Sequence, residues 1–124
     1  MEPDLIITTE QAQGKENVTI FHLRGWLDSK SEERFLQAGR VAYEAGARFL
    51  VIDLGEIEAI TSAGMRAIQK VYKIFTPADE HFNVAHIKIC NAPPQIYTIL
   101  GITGFLQNIP SYATVQAALD SFDG

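Results

Sequence analysis

Apolar and polar residues fall along this chain in blocks whose period switches between two and three-to-four. "DLIITT" (4–9) predicts a short first strand, and "QAQGKEN" (11–17) a turn of Gly, Asn and charged residues. "VTIFHLRGWL" (18–27) sets Val18, Ile20 and His22 on one side and Thr19, Phe21 and Leu23 on the other. Both sides are apolar enough for a central strand. Asp28 and Ser29 end it, and Ser29 with Glu32 fits a Ser-x-x-Glu capping box that opens a helix over "SEERFLQAGRVAYEAG" (31–46). Phe35, Ala38, Ala42 and Ala45 form the buried stripe of that helix, and Gly46 ends it in a left-handed C-cap.

"ARFLVIDL" (47–54) is a continuous β-branched run after a helix, which predicts a buried parallel strand. "AITSAGMRAIQKVYKIF" (59–75) then takes up helical spacing, with Met65, Ile68, Val71 or Tyr72, and Phe75 on one face and Pro77 as its stop. Its opening residues Thr61, Ser62, Ala63 and Gly64 are small where a buried strand hands over to a helix. Ser62 fits an N-cap whose hydroxyl accepts from the N–H of Gly64 or Met65. "HIKIC" (86–90) predicts a strand and "PPQIYTILGITGF" (93–105) a short helix with proline at its entrance. "LQNIPSYA" (106–113) predicts an edge strand because of Pro110, and "TVQAALDSF" (114–122) a last helix capped by Thr114 or Ser111. The order β-β-α-β-α-β-α-β-α demands an α/β fold: a mixed, mostly parallel sheet of about five strands with about four crossover helices.

Composition narrows this further. A chain of 124 residues suits one domain over 1–124, and the linker-like "TPADEH" (76–81) is too short to divide it. Hydrophobic residues make up 47% and charged residues 20%, as in soluble globular proteins. The apolar runs are too short for a bilayer and the first residues lack a signal core, so a cytoplasmic protein is expected. The single Cys90 rules out an internal disulfide and a cysteine-rich zinc site. A net charge of −5 without a basic cluster argues against nucleic acid as the main ligand.

Candidate chemistry is sparse. His22, His81 and His86 lack metal-ligand spacing, so neither a metal nor another cofactor is expected. Ser62 at a strand-to-helix turn suggests a nucleophile elbow, but Ile60 stands where Gly-x-Ser-x-Gly requires glycine, and no histidine follows on a late loop. Neither a phosphate-binding loop nor Gly-x-Gly-x-x-Gly is present. Asp53 resembles the phosphoacceptor of a receiver domain. That reading fails because Glu10 stands alone, Lys88 is the last lysine, and the second element is a strand. Asp53 is better read as a strand-end carboxylate meeting nearby backbone N–H groups.

"RGWLD" (24–28), "VIDLGEIEAITSAGM" (51–65) and "ILGITGF" (99–105) together resemble the STAS family, shared by bacterial anti-sigma factor antagonists and the tails of sulfate transporters. The first is similar to its Gly-x-Leu-Asp, the second to its strand, loop and Asp-Ser-x-Gly signature, and the third to the turn before its last strand. The stand-alone antagonist is the better match. The resemblance implies a non-enzymatic signalling module that binds an anti-sigma factor or serine-kinase-like protein, and a weak homodimer is compatible with it. It implies phosphorylation at Ser62, with a partner surface of Asp28, Thr61, Ser62, Ala63, Gly64 and Met65. Thr61 replaces the family's usual acid. This leaves open altered kinase recognition, phosphorylation on Thr61, or an unphosphorylated scaffold subunit of a stress-sensing complex. A small α/β enzyme or receiver-like domain is the more distant alternative.

Overall fold

In the computed structural model, residues 4–15, 17–76 and 85–123 are described, and the strands lie side by side in chain order. The elements are β1 (Ile6–Gln11), β2 (Val18–Leu27), α1 (Glu32–Glu44), β3 (Phe49–Ile60), α2 (Ser62–Phe75), β4 (Ile87–Cys90), α3 (Pro94–Ile102), β5 (Ser111–Tyr112) and α4 (Val115–Asp120). Short 3-10 turns follow α3 at Phe105–Gln107 and α4 at Ser121–Asp123. β1 runs antiparallel to β2, and β2 through β5 are mutually parallel. This is the expected α/β architecture, and β5 lies at a sheet edge as Pro110 predicts.

The strands place two apolar sets on opposite faces. Phe21, Leu23, Leu50, Ile52 and Leu54 pack with Phe35 of α1, Ile68, Val71 and Phe75 of α2, and Ile96 and Leu100 of α3. Each large side chain buried there contributes about 2 kcal/mol of apolar transfer. On the other face a smaller cluster forms, in which Ala118 of α4 is buried with Ala12, Val18, Ile20, Val51 and Cys90, and Val115 and Leu119 of α4 pack against it. The rest of that face, along the later halves of β2 and β3, carries polar residues toward solvent.

Four sequence expectations are corrected. The stripe of α1 is rotated: Phe35, Leu36 and Gly39 are buried, Ala38 and Ala42 are partly so, and Ala45 is exposed. The cause is the crossing with α2, where a Cβ on Gly39 would lie 2.9 Å from a methyl of Val71. The Ser29–Glu32 capping box does not form, because Ser31 is the N-cap residue and Glu32 is already inside the helix. Among the described residues no side chain caps α1; Asp28 instead closes the turn that leads into it. β3 continues six residues past Leu54, to Ile60, because β2 stays paired with it up to Leu27–Ile60. Two register shifts absorb the extra residues, leaving Ile57 and Ile60 buried and Glu56 and Glu58 exposed. β5 is reduced to Ser111–Tyr112, since Phe105–Gln107 coils into a 3-10 turn after Gly104.

Gly46 does adopt positive φ, +115°, just beyond α1. Thr114 is the N-cap of α4, with its hydroxyl accepting from Ala117 N–H at 3.0 Å. Pro77, His81 and nearly all of "TPADEH" lie outside the described residues.

Candidate functional site

The ends of β2 and β3 meet at one corner. The N–H of Thr61 donates to the carbonyl of Leu27 at 3.1 Å, so β3 hands over to α2 beside the residue that precedes Asp28. The first turn of α2 then passes against the end of β2. A Cβ on Gly64 would sit 2.2 Å from the Leu27 carbonyl oxygen, which no side chain survives without backbone movement. Gly64 is therefore a packing requirement, and it holds the start of α2 against the Asp28 turn.

Asp28 is fixed by its own loop. Its Oδ1 accepts from the N–H groups of Lys30 at 3.1 Å and Ser31 at 3.3 Å. The buried hydroxyl of Ser31 accepts from Asp28 N–H at 3.0 Å and lies 3.1 Å from the carbonyl of Trp26. The carboxylate thus closes an Asx-type turn that starts α1.

The cap of α2 is Thr61, not Ser62. Thr61 has extended backbone and its Oγ1 accepts from Gly64 N–H at 3.3 Å. Ser62 is the first helical residue, exposed, with no hydrogen-bond partner for its hydroxyl among the described residues. Both residues make good caps, but the strand's last hydrogen bond ends at Thr61 and so leaves that residue extended. Ala63 and Met65 are half-buried alongside. The hydroxyl of Thr103 lies 3.7 Å from the Met65 sulfur, and next to it Ile102 is 81% exposed, an apolar shoulder bordering the corner.

The histidines and Asp53 lie elsewhere. His22 sits on the open sheet face with Nδ1 2.7 Å from Asp53 Oδ2 and Nε2 2.7 Å from Glu10 Oε1. The second oxygen of Asp53 accepts from Gly55 N–H at 2.9 Å and the Asn91 amide at 3.0 Å. Burial pushes the His22 pKa down, but the hydrogen bonds and charges of Glu10 and Asp53 outweigh it and leave His22 above its usual range. Burial likewise pushes Asp53 up. Its bonds to Gly55, Asn91 and His22 prevail and hold it below the usual carboxylate range. Both ring nitrogens of His22 are engaged, so it is no general base for Ser62. His86 Nδ1 lies 2.8 Å from the Arg48 carbonyl, and its ring stacks on Phe49. Among the described residues no group of three His, Cys, Asp or Glu side chains is placed to hold a metal ion.

The family model described as the STAS domain matches residues 10–118. The chain belongs to the STAS family. A relative from Bordetella bronchiseptica, BtrV, which carries the name of an anti-sigma factor antagonist, is 26% identical over 107 residues, 86% of this chain and 88% of its own. An anti-sigma factor antagonist from Mycobacterium paratuberculosis shares the fold at TM-score 0.79 and 19% identity, covering 98% of this chain and 96% of its own. The Bacillus cell fate determinant SpoIIAA, solved in its phosphorylated form, matches at TM-score 0.60 and 13% identity, over 93% and 97%. The expected fold class and the resemblance to stand-alone antagonists are therefore correct. No helix among the described residues of this STAS domain is long and apolar enough to cross a membrane.

Next to the candidate corner the structure also places contacts that the sequence did not indicate. Glu32 of α1 accepts from Arg66 and Lys70 of α2, at 3.1 Å each, next to the corner. Nothing local in the sequence links residues more than thirty positions apart. Ile102 was visible only as one isoleucine in an apolar run, because its exposure depends on where α3 ends.

Proposed function

We propose that this STAS domain is an anti-sigma factor antagonist whose partner, an anti-sigma factor with serine-kinase activity, docks on the corner of Asp28 and Thr61–Met65. Phosphorylation of Ser62 releases that partner. The observation that carries this reading is the free, exposed hydroxyl of Ser62 at the first position of α2, beside a carboxylate locked in its turn. BtrV and the phosphorylated SpoIIAA support it, the first by its name and the second by the modification its fold accepts. Thr61 is the weaker acceptor because its hydroxyl already serves Gly64.

The physics of release is local. A phosphate adds about −1.5 to −2 charges at pH 7. The helix dipole and first-turn N–H groups of α2 stabilise that charge in the free domain, so the fold barely responds. A partner packed flush against the corner would instead desolvate a dianion. Losing about 3 kcal/mol in this way weakens binding on the order of a hundredfold.

Capture of partners from native cytosol, with mass spectrometry of Ser62 peptides, tests the reading. A co-purifying ATP-dependent kinase that labels wild type but not Ser62→Ala is expected. Recovery of large assemblies of STAS chains, without modified Ser62, would replace the switch with a scaffold role.

A further inference from the structure

Arg66 and Lys70 project from α2 toward α1, and both are paired with one carboxylate. Arg66 Nε donates to Glu32 Oε2 at 3.1 Å and Nη2 lies 3.4 Å from Oε1, while Lys70 Nζ donates to Oε2 at 3.1 Å. Two cations share one anion, so one of them can leave without stranding Glu32. Glu32 is held below the usual carboxylate range by its bond to Arg66 first and to Lys70 second. Arg66 is also placed for a second partner. It stands four residues after Ser62, and i, i+4 positions are neighbours about 5–6 Å apart at Cβ. Helical side chains lean toward the N-terminus, which brings the guanidinium over the turn that Ser62 begins. Arg66 is 55% exposed, free to change rotamer.

We propose that Arg66 is the phosphate clamp of the Ser62 switch: Glu32 parks it in the unmodified protein, and it passes to the phosphoserine while Lys70 keeps Glu32 paired. This rests on the reading of Ser62 as phosphoacceptor. The guanidinium offers two parallel N–H donors to the phosphate oxygens, a geometry that lysine at the same position would not reproduce. The new pair holds the phosphate against the domain and leaves the α1–α2 contact intact through Lys70.

The experiment uses the full chain with phosphoserine incorporated directly at position 62, so its result does not depend on any kinase. Phosphorus NMR titration should show the second phosphate pKa lower in the wild type than in Arg66→Gln by a few tenths of a pH unit. Arg66→Lys should recover part of that shift. In the wild type the Arg66 Nε–H resonance should move with the phosphate titration. Identical phosphate titrations in wild type and Arg66→Gln, or an Nε–H resonance that ignores the phosphate, would overturn the clamp. Failure of a native kinase to label Ser62 would strike the proposed function instead, and the two failures are separable.

Discussion

The α2 corner and the open sheet face both present polar side chains to solvent, and they are built in opposite ways. On the sheet face Glu10, His22, Asp53 and Asn91 form a row in which each group bonds to the next, at 2.7 to 3.0 Å. At the corner Thr61 is spent on a cap, Asp28 on a turn, and Ser62 is left over. A carboxylate–histidine–carboxylate row looks more like chemistry than a lone serine. Within the row both ring nitrogens of His22 and both oxygens of Asp53 are engaged, so it ties neighbouring strands together. The corner has capacity to spare, and a switch needs capacity. Breaking each region should therefore have a different consequence: stability for the sheet face, recognition for the corner.

The largest effect tests what joins the corner together. Gly64→Ala puts a methyl into the Leu27 carbonyl and must push α2 away from β2. It should cost about 3 kcal/mol, lowering the melting temperature by on the order of 10 °C. Partner binding should fall with it, as Ser62 and Asp28 separate. A Gly64→Ala protein with wild-type melting would show that the close approach does not matter.

Much of this was legible in the sequence, and what was not has a common cause. β2 is bounded as its alternation predicts, and α2 buries Ile68, Val71 and Phe75 as its period predicts. Both signals are local. Beyond Leu54 the "GEIEA" stretch looks like a loop, and only pairing with β2, some thirty residues away, makes it strand. Glu32 fits a capping box in one dimension, yet in three it serves Arg66 and Lys70 of another helix. Asp53 meets the N–H of Gly55 as expected, but lies within β3 rather than at its end, and its contacts with His22 and Asn91 need the sheet register. The candidate corner residues were identified by motif, while their division of labour was not.

That division supplies the next prediction. Thr61→Ala removes the cap and should cost about 1 kcal/mol, whereas Ser62→Ala, at the first helical position, should stay within a few tenths. Ser62→Asp should be at least as stable as wild type because its charge faces the helix N-terminus. Binding should rank differently, with Ser62→Ala competent and Ser62→Asp defective. Thermal melting and calorimetry on the same preparations separate the two orders. A Ser62→Ala protein less stable than Thr61→Ala would return the cap to Ser62.

The sheet face responds to pH. The raised pKa of His22 gives stability that is complete below its unfolded value of about 6.5 and is lost as pH rises through the higher folded value. The lowered pKa of Asp53 gives stability present above about 3.9 and lost as pH falls through the folded value beneath it. The row should therefore stabilise most between about pH 4 and 6.5. His22→Gln should cost about 1 kcal/mol at pH 5.5, tempered by the partial exposure of the row, and less at pH 8.5. Partner binding should be unchanged. Denaturant titrations at the two pH values that show an equal cost would mean that His22 is not charged between its carboxylates.

The smallest effect on stability falls on Asp28, and it sharpens the comparison most. Asp28→Asn keeps an Oδ1 acceptor for the N–H groups of Lys30 and Ser31, so the Asx turn should survive and the cost should be a few tenths of a kcal/mol. What disappears is the negative charge. If the corner is a docking surface, that charge meets a cation on the partner, and binding should weaken by about tenfold while melting hardly moves. Asp28→Ala is the control, because it removes charge and turn together and should lose about 1 kcal/mol as well. On the sheet face no substitution should show this separation, since each side chain there is tied to its neighbours. Asp28→Asn binding at wild-type affinity, measured by calorimetry with the captured partner, would confine Asp28 to its turn and shrink the proposed surface to α2.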